Sequence, residues 1–331
     1  MGLYAKMPFA QACGMGLNSF FFVSFILPQV ISGGDVVEGY HAGLVIILIS
    51  GIIFTVLVLS LFVPALFWPV TGIIMAAAIG VFACIEMYSA LKHGGYRPSR
   101  VLLIIGMVLA TIVVLCGLLF QLNIESVMAL YLIIVCMYSL ACGINLPLVR
   151  PDDEKSFLNG IFTGGMVFYI SFPLFCLVSA LLFVPNGWFY MVIGLFAPGG
   201  TDVFAYFTGV AIGKHKIVPH ISPKKTWEGC IGGTVFCALS VLVYSCLVLY
   251  RVEDIQLSMV VYGIIMFFLG ILISIMSQLG DWFCSVIKRR TGIKDFGNIF
   301  PGHGGMMDRF DSAFFTLPTA LLLAIIANNL F

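Results

Sequence analysis

VLLIIGMVLATIVVLCGLLFQ, residues 101–121, carries no charged side chain and is long enough to cross a membrane as a helix. A helix rises about 1.5 Å per residue, so about 20 apolar residues span the hydrocarbon core of a bilayer. Similar runs follow one another along the chain. Of the 331 residues, 61% are hydrophobic and only 9% are charged, whereas about 25% of the residues in soluble domains are charged. The sequence therefore predicts an all-α polytopic integral membrane protein.

About nine transmembrane helices are expected, or ten if an N-terminal segment also enters the membrane. They are predicted near residues 42–64, 70–91, 101–121, 126–144, 158–184, 188–212, 229–250, 258–283 and 311–330. The apolar run from Leu17 to Ile31 is interrupted by polar residues and is short for a span. The chain thus divides into three parts. Residues 1–40 are an N-terminal extension, for which an extra membrane segment is left open, residues 41–185 form the N-terminal transmembrane helices, and residues 186–331 form a catalytic transmembrane region.

Two kinds of connection alternate between these helices: polar loops rich in Lys and Arg, and short loops. The basic ones are residues 92–100, 145–157, 213–228 and 284–310. Lys and Arg are enriched in cytoplasmic loops of membrane proteins. Placing the basic loops in the cytoplasm puts fourteen of the sixteen Lys and Arg residues on that side. The sequence therefore predicts that loops 213–228 and 284–310 lie on the same, cytoplasmic face.

The most polar stretch is QLGDWFCSVIKRRTGIKDFGNIFPGHGGMMDRFDS, residues 278–312. Its carboxylates suit Mg²⁺ and its cations suit phosphate oxygens. These side chains are Asp281, Asp295, Asp308, Asp311, Lys288, Arg289, Arg290, Lys294 and Arg309. Glycines on both sides of His303 allow a sharp turn close to a ligand. The pattern favours a Mg²⁺–polyphosphate site over the alternative, a solvated loop whose charges pair with one another and set the topology.

A second unusual stretch covers residues 197–233. Asp202 falls inside a predicted span, where a carboxylate costs about 2.5–3.5 kcal/mol and is a candidate functional group. Pro198 and the two glycines after it are predicted to break the helix. The alternative is a charge that pairs with a neighbouring helix for packing alone.

The loop that follows Asp202 is rich in cations. ISPKKTWEG, residues 221–229, is predicted to start a helix, with Ser222 or Thr226 as its cap and Pro223 in its first turn. A helix N-terminus with Lys224 and Lys225 would be an anion site. Alternatively, the lysines only anchor the loop to anionic lipid headgroups.

These motifs resemble those of a known family. Residues 285–311 are similar to the signature of phosphatidate cytidylyltransferases, which runs Ser-x-apolar-Lys-Arg, four residues, Lys-Asp, a small residue, His-Gly-Gly and Asp-Arg-x-Asp. GTDVFAYFTG, GKH, SPKKTWEG and QLGD, at residues 200–209, 213–215, 222–229 and 278–281, also match, in the family's order. The resemblance covers residues 198–312. Before them, the chain is similar to the family only in hydropathy and at Glu86.

The resemblance implies an enzyme that makes CDP-diacylglycerol and pyrophosphate from CTP and phosphatidate, for phospholipid biosynthesis. The lipid phosphate would attack the α-phosphorus of CTP with the help of Mg²⁺, and a second cation is left open. The implied catalytic residues are Asp281, Asp308, Asp311, Lys288, Arg289 and Arg309. The implied substrate-binding residues are Ser222, Lys224, Lys225, Thr226, Lys294, His303, Gly304 and Gly305. The implied metal ligands are Asp281, Asp308, Asp311 and Asp202.

CTP and phosphatidate in the bilayer are the expected partners. A homodimer is left open, and no nucleic acid is expected. The resemblance places the protein in the bacterial cytoplasmic (inner) membrane, with its active site on the cytoplasmic side. Three alternatives remain: a CTP-dependent polyprenol or other lipid kinase, a cytidylyltransferase for an isoprenoid phosphate, and, from a different class, a secondary transporter.

Overall fold

The computed structural model describes residues 68–330, apart from short gaps at 219–221, 253–254, 256 and 300–303. The predictions for residues 1–40 and for the helix at 42–64 lie outside the described residues. Most of the described chain is helical. The prediction of an all-α membrane protein is therefore confirmed.

The first five helices are α1 (Pro69–His93), α2 (Arg100–Leu119), α3 (Ile124–Val149), α4 (Ser156–Phe183) and α5 (Gly187–Ile212). A two-stranded antiparallel hairpin follows, made of β1 (Lys216–Val218) and β2 (Ser222–Thr226). Next comes α6 (Trp227–Tyr244), which continues through a π-helical turn at Ser245–Leu249 and a last turn at Tyr250–Val252. The chain then forms α7 (Met259–Thr291), the short α8 (Met306–Phe310) and α9 (Ala313–Leu330).

Seven helices of the described chain, α1 to α7, are long and apolar enough to cross a membrane, and α9 is a shorter apolar helix. Their starts follow from local sequence. Ser99 and Asn123 cap α2 and α3, because their side-chain oxygens accept from the backbone N–H groups of Leu102 and Ser126. Within the described residues, the predicted spans correspond to helices whose ends differ from the predicted ones by up to eight residues.

The helices are arranged around α4, the most buried of the seven spans. It packs against α1, α2 and α3 on one side and against α9 on another. The helices α5 and α6 also lie very close together. A Cβ atom on Gly233 would lie 2.7 Å from the carbonyl oxygen of Thr201, and one on Gly229 would lie 2.7 Å from that of Ala205. Glycine is required at this contact because the two backbones nearly touch.

The predicted break at Pro198 is absent, since α5 runs unbroken from Gly187 to Ile212. A proline has no N–H, so the carbonyl four residues earlier, on Gly194, loses its helical partner. The Thr316 hydroxyl on α9 donates to this carbonyl at 2.6 Å. A neighbouring helix thus satisfies the carbonyl that the proline leaves free, and the helix continues.

Two other local predictions are wrong. Ser222 and Pro223 do not start a helix, because they belong to β2, which pairs with β1. The helix begins one residue after Thr226, whose hydroxyl accepts from Gly229 N at 3.2 Å, so Thr226 is the cap. The predicted loop 284–310 starts later than expected, because α7 has 33 residues and ends only at Thr291.

Candidate active site

The basic connections meet at one end of the helix bundle. Arg150 Nη1 donates to the Arg97 carbonyl at 3.3 Å, which joins the α3–α4 loop to the α1–α2 loop. His93 Nδ1 donates to the Thr291 carbonyl at 2.9 Å, which joins the end of α1 to the end of α7. Lys225 of the hairpin binds Asp281 of α7. The two segments with the unusual polar motifs therefore lie together.

Lys225 and Asp281 form the ion pair at the centre of this region. About a quarter of each side chain is exposed. The Lys225 ammonium also lies 5.8 Å from the centre of the Trp282 ring, and Ser285 Oγ donates to the second Asp281 oxygen at 3.3 Å. The pair is thus partly accessible to a ligand, and Trp282 and Ser285 help to hold it in place.

Two more carboxylates surround Asp281. Asp202 of α5 is within electrostatic reach of Asp281, Lys225 and Arg309. Asp311, between α8 and α9, is within reach of both Asp281 and Asp202. Burial, and then the negative charge of Asp281, raises the pKa of Asp311 to about 7. The three acids Asp202, Asp281 and Asp311 therefore lie within electrostatic reach of one another, where α5, α7 and the start of α9 meet, and Lys225, Lys288 and Arg309 act on them.

Lys288 and Asp308 form a second, more enclosed pair at 2.9 Å, with 15% and 5% of their side chains exposed. The other Asp308 oxygen accepts from the backbone N–H groups of Phe296 and Gly305, at 2.8 and 3.0 Å. Both oxygens of Asp308 are thus occupied by protein donors. This carboxylate holds the segment between α7 and α8 in place.

The remaining predicted site residues take several positions. Thr226 is the cap of α6, and Gly304 has a φ of 80°, which favours glycine. Arg289 and Lys294 lie at and just beyond the end of α7 and are exposed, and so is Arg309. For Ser222 and Lys224, the structure describes the backbone in β2, and His303 lies outside the described residues.

Within the described part of the chain, no group of three or more His, Cys, Asp or Glu side chains is arranged tightly enough to hold a metal ion. The donor chemistry nevertheless fits a hard divalent cation, because Asp202, Asp281 and Asp311 offer carboxylate oxygens and repel one another. Asp308 fits less well, since its oxygens already accept from three donors.

Glu86 was not among the predicted site residues, yet it reaches the signature segment. Its carboxylate is buried in α1 and accepts from the backbone N–H groups of Met306 and Met307. A lone carboxylate in the predicted span 70–91 was a usable signal, because buried charges in membranes have partners. The sequence did not indicate which partner.

Comparison with known proteins agrees with the family that the sequence motifs resemble. A protein-family model described as the cytidylyltransferase family matches residues 44–327. A phosphatidate cytidylyltransferase of Aquifex aeolicus (strain VF5) is 38% identical over 167 residues, which are 50% of this chain and 58% of the relative. One of Rickettsia bellii (strain RML369-C) is 37% identical over 145 residues, 43% of this chain and 61% of the relative.

A third relative, a phosphatidate cytidylyltransferase of Staphylococcus aureus (strain COL), is 45% identical over 125 residues, 38% of this chain and 45% of the relative. The chain spans about half the length of these curated relatives. The family model covers far more of the chain, from before α1 to the last turns of α9. The chain therefore belongs to the cytidylyltransferase family.

Proposed function

We propose that this integral membrane protein transfers the cytidylyl group of CTP to phosphatidate and forms CDP-diacylglycerol and pyrophosphate. The observation that carries the proposal is the ion pair between Lys225 and Asp281. It joins the two segments that resemble phosphatidate cytidylyltransferases, residues 198–229 and 278–311, in one charged site. The relatives that bear that name support the choice of substrates.

Two polyanions must meet in this reaction, so neutralisation of charge is the main task of the site. Lys225 is partly exposed and can exchange the Asp281 carboxylate for a phosphate oxygen. The exposed guanidinium groups of Arg289 and Arg309 can each bind a phosphate through two N–H groups. Lys288, fixed by Asp308, adds a positive charge within electrostatic reach of Asp311.

Asp202, Asp281 and Asp311 are the residues that would hold Mg²⁺. When bound, the ion would neutralise phosphate charge and orient the α-phosphate of CTP for attack. The nucleophile needs no general base, because a phosphate monoester is already ionised at neutral pH. We therefore assign the carboxylates to charge and orientation, and Asp308 to holding Lys288 and the adjoining loop.

The lipid substrate can approach from the side of α5. Asp202 is exposed on this helix, and its neighbours Val203 and Phe207 expose about half of their surface. Val235 of α6 continues the apolar face. A lipid phosphate held near Asp202 by Lys225 or Arg309 would thus be attached to acyl chains that lie against an apolar helix surface.

The test uses purified protein with CTP labelled in the α-phosphate or the base. We expect label in the chloroform-soluble fraction only when phosphatidate is present, with one pyrophosphate released for each product. Release of CDP with a polyprenol acceptor would indicate a lipid kinase. No turnover with any lipid phosphate, combined with uptake of a solute into vesicles, would indicate a transporter.

A further inference from the structure

Glu86 is a buried carboxylate in a membrane-spanning helix, about two turns before the end of α1. Only 5% of its surface is exposed. Its two oxygens accept separate hydrogen bonds, at 2.9 Å from Met306 N and at 2.7 Å from Met307 N. A buried carboxylate is costly unless it is hydrogen-bonded, so these contacts explain why it can remain at this position.

The signature segment leaves room for this carboxylate. A Cβ atom on Gly297 or on Gly305 would collide with the Glu86 side chain. Both glycines belong to the stretch between α7 and α8 that resembles the family's signature. The absence of two side chains thus allows the carboxylate to enter the loop and reach the backbone.

The contacts of Glu86 continue directly into the proposed site. Met306 and Met307 open α8, and Asp308 is the next residue. Asp308 in turn accepts from Phe296 N, Gly305 N and Lys288. Two carboxylates therefore bind the backbone of the same loop, Glu86 from α1 and Asp308 from within the loop.

A second contact ties α1 to the other end of the loop. His93 follows Glu86 by about two helical turns, which places both side chains near one face of α1. Its Nδ1 donates to the carbonyl of Thr291, the last residue of α7, and Gly94 packs directly against Thr291. The helix α1 therefore contacts both ends of the segment 292–305.

We propose that Glu86 is a positioning residue, whose carboxylate fixes the first turn of α8 and thereby places Asp308 and Asp311 relative to Lys288 and Asp281. It touches no substrate in this scheme. The catalytic part of the proposal rests on the proposed cytidylyltransferase function, whereas the contact itself is testable without substrate.

The test compares Glu86→Ala, Glu86→Gln and Glu86→Asp with the wild-type protein in detergent. Hydrogen exchange is measured for the peptide that contains residues 304–312, and kcat and KM for CTP are measured per folded molecule. Glu125→Gln is the matched control, because Glu125 is an exposed carboxylate in the first turn of α3 and contacts no part of the loop.

We expect Glu86→Ala to speed exchange in 304–312 selectively and to lower kcat about tenfold or more, since small misplacements of reacting groups have large effects on rate. The KM for CTP should change less than kcat, because Lys225 and Asp281 do not contact Glu86. Glu86→Gln keeps one acceptor oxygen and should fall between Ala and wild type. Glu86→Asp keeps both oxygens and should recover part of kcat.

Gly297→Ala provides a second route if Glu86→Ala does not fold. The added methyl group would occupy the place of the carboxylate, so exchange in 304–312 should again rise selectively. In the background of Glu86→Asp, the same change should have a smaller effect, because the shorter side chain leaves room for the methyl group.

Two results would overturn the proposal. One is wild-type exchange in 304–312 together with wild-type kcat in Glu86→Ala and Glu86→Gln. The other is exchange that rises equally across all helices while kcat per folded molecule is unchanged, which would mean a purely structural role. A wild-type protein without cytidylyl transfer would instead contradict the proposed function, and the exchange experiment would still decide whether Glu86 holds the loop.

Discussion

Two lysine–aspartate pairs differ in burial, and this difference gives them different roles. The pair of Lys225 and Asp281 is partly exposed, whereas Lys288 and Asp308 are enclosed. An exposed pair can open to accept a ligand at little cost. A buried pair is expensive to break, because either partner alone would be an uncompensated charge.

Asp281→Asn should therefore reduce catalysis without loss of the fold. The amide keeps the shape but removes the negative charge that faces Lys225, Asp202 and Asp311. We expect kcat to fall about 100-fold or more, the size found when a preorganised charge stabiliser is removed. Asp152→Asn is the control, because Asp152 is an exposed acid in the α3–α4 loop. Unchanged turnover in Asp281→Asn would exclude Asp281 from the metal ligands.

Asp308→Asn should instead reduce stability. It leaves the Lys288 ammonium buried without its counter-charge, which costs about 3–5 kcal/mol in comparable cases. Thermal unfolding in detergent should show a lower midpoint than for wild type or Asp281→Asn, and added Mg²⁺ should not restore activity. A wild-type midpoint with activity restored by high Mg²⁺ would make Asp308 a metal ligand after all.

At the scale of single residues, the sequence indicated most of the charged residues of the candidate site, but it did not indicate which of them form pairs. Asp281 and Lys225 stand out because charges are rare in an apolar chain. The contact of Glu86 with Met306 joins residues that are 220 positions apart. No periodicity or spacing predicts a backbone N–H as the partner, so only the fold could show it.

Helix α7 brings Asp281 to Asp311 through a close contact at Gly280. A Cβ atom at Gly280 would lie 2.7 Å from the carbonyl oxygen of Asp311 and 3.0 Å from Cα of Ser312. These are backbone atoms, so a side chain at this position would have to separate α7 from the start of α9. The distance between two proposed metal ligands thus depends on a glycine.

Gly280→Ala should consequently lower kcat about tenfold or more, since the reacting groups would no longer be aligned. Gly165→Ala is the matched control, because it makes the same change in α4 and no atom lies within 4 Å of the added methyl group. Activity assays and unfolding temperatures of the two variants check this. Equal activity in both would mean that α7 and α9 can separate without harm.

The sequence predicts a helix well where the length and hydropathy of an apolar run determine it. It predicts an element less well where a contact with a neighbouring element determines it. The helix α2 was expected at 101–121 and lies at Arg100–Leu119. The continuation of α5 through Pro198 depends on the Thr316 hydroxyl of α9, which a local pattern cannot include. The hairpin of β1 and β2 likewise depends on pairing between strands.

For the whole molecule, the arrangement of loops confirms that the basic connections share one end of the bundle. The contacts of Arg150 with Arg97, of His93 with Thr291 and of Lys225 with Asp281 join all four. The positive-inside rule relates that end to the cytoplasm. We therefore expect the proposed site to bind CTP from the cytoplasm and the lipid substrate from the membrane.

Labelling with a membrane-impermeant maleimide tests this orientation. Cysteine at Asp152 or at Lys214, both exposed at the basic end, should react in inside-out vesicles and stay protected in right-side-out ones. Cysteine at Gln121, in the short α2–α3 connection, should show the opposite pattern. Wild-type protein measures the background of native cysteines. Reversed patterns would place the proposed site on the outer face.

The glycine contact between α5 and α6 has a consequence for sequence variation in this protein. Gly229 and Gly233 touch the α5 backbone at Ala205 and Thr201, next to Asp202. Neither glycine carries a group that could bind a substrate. A survey of random substitutions should nevertheless find these positions as intolerant as the acids. Any larger residue would push α5, which carries Asp202, away from α6, which begins two residues after Lys225.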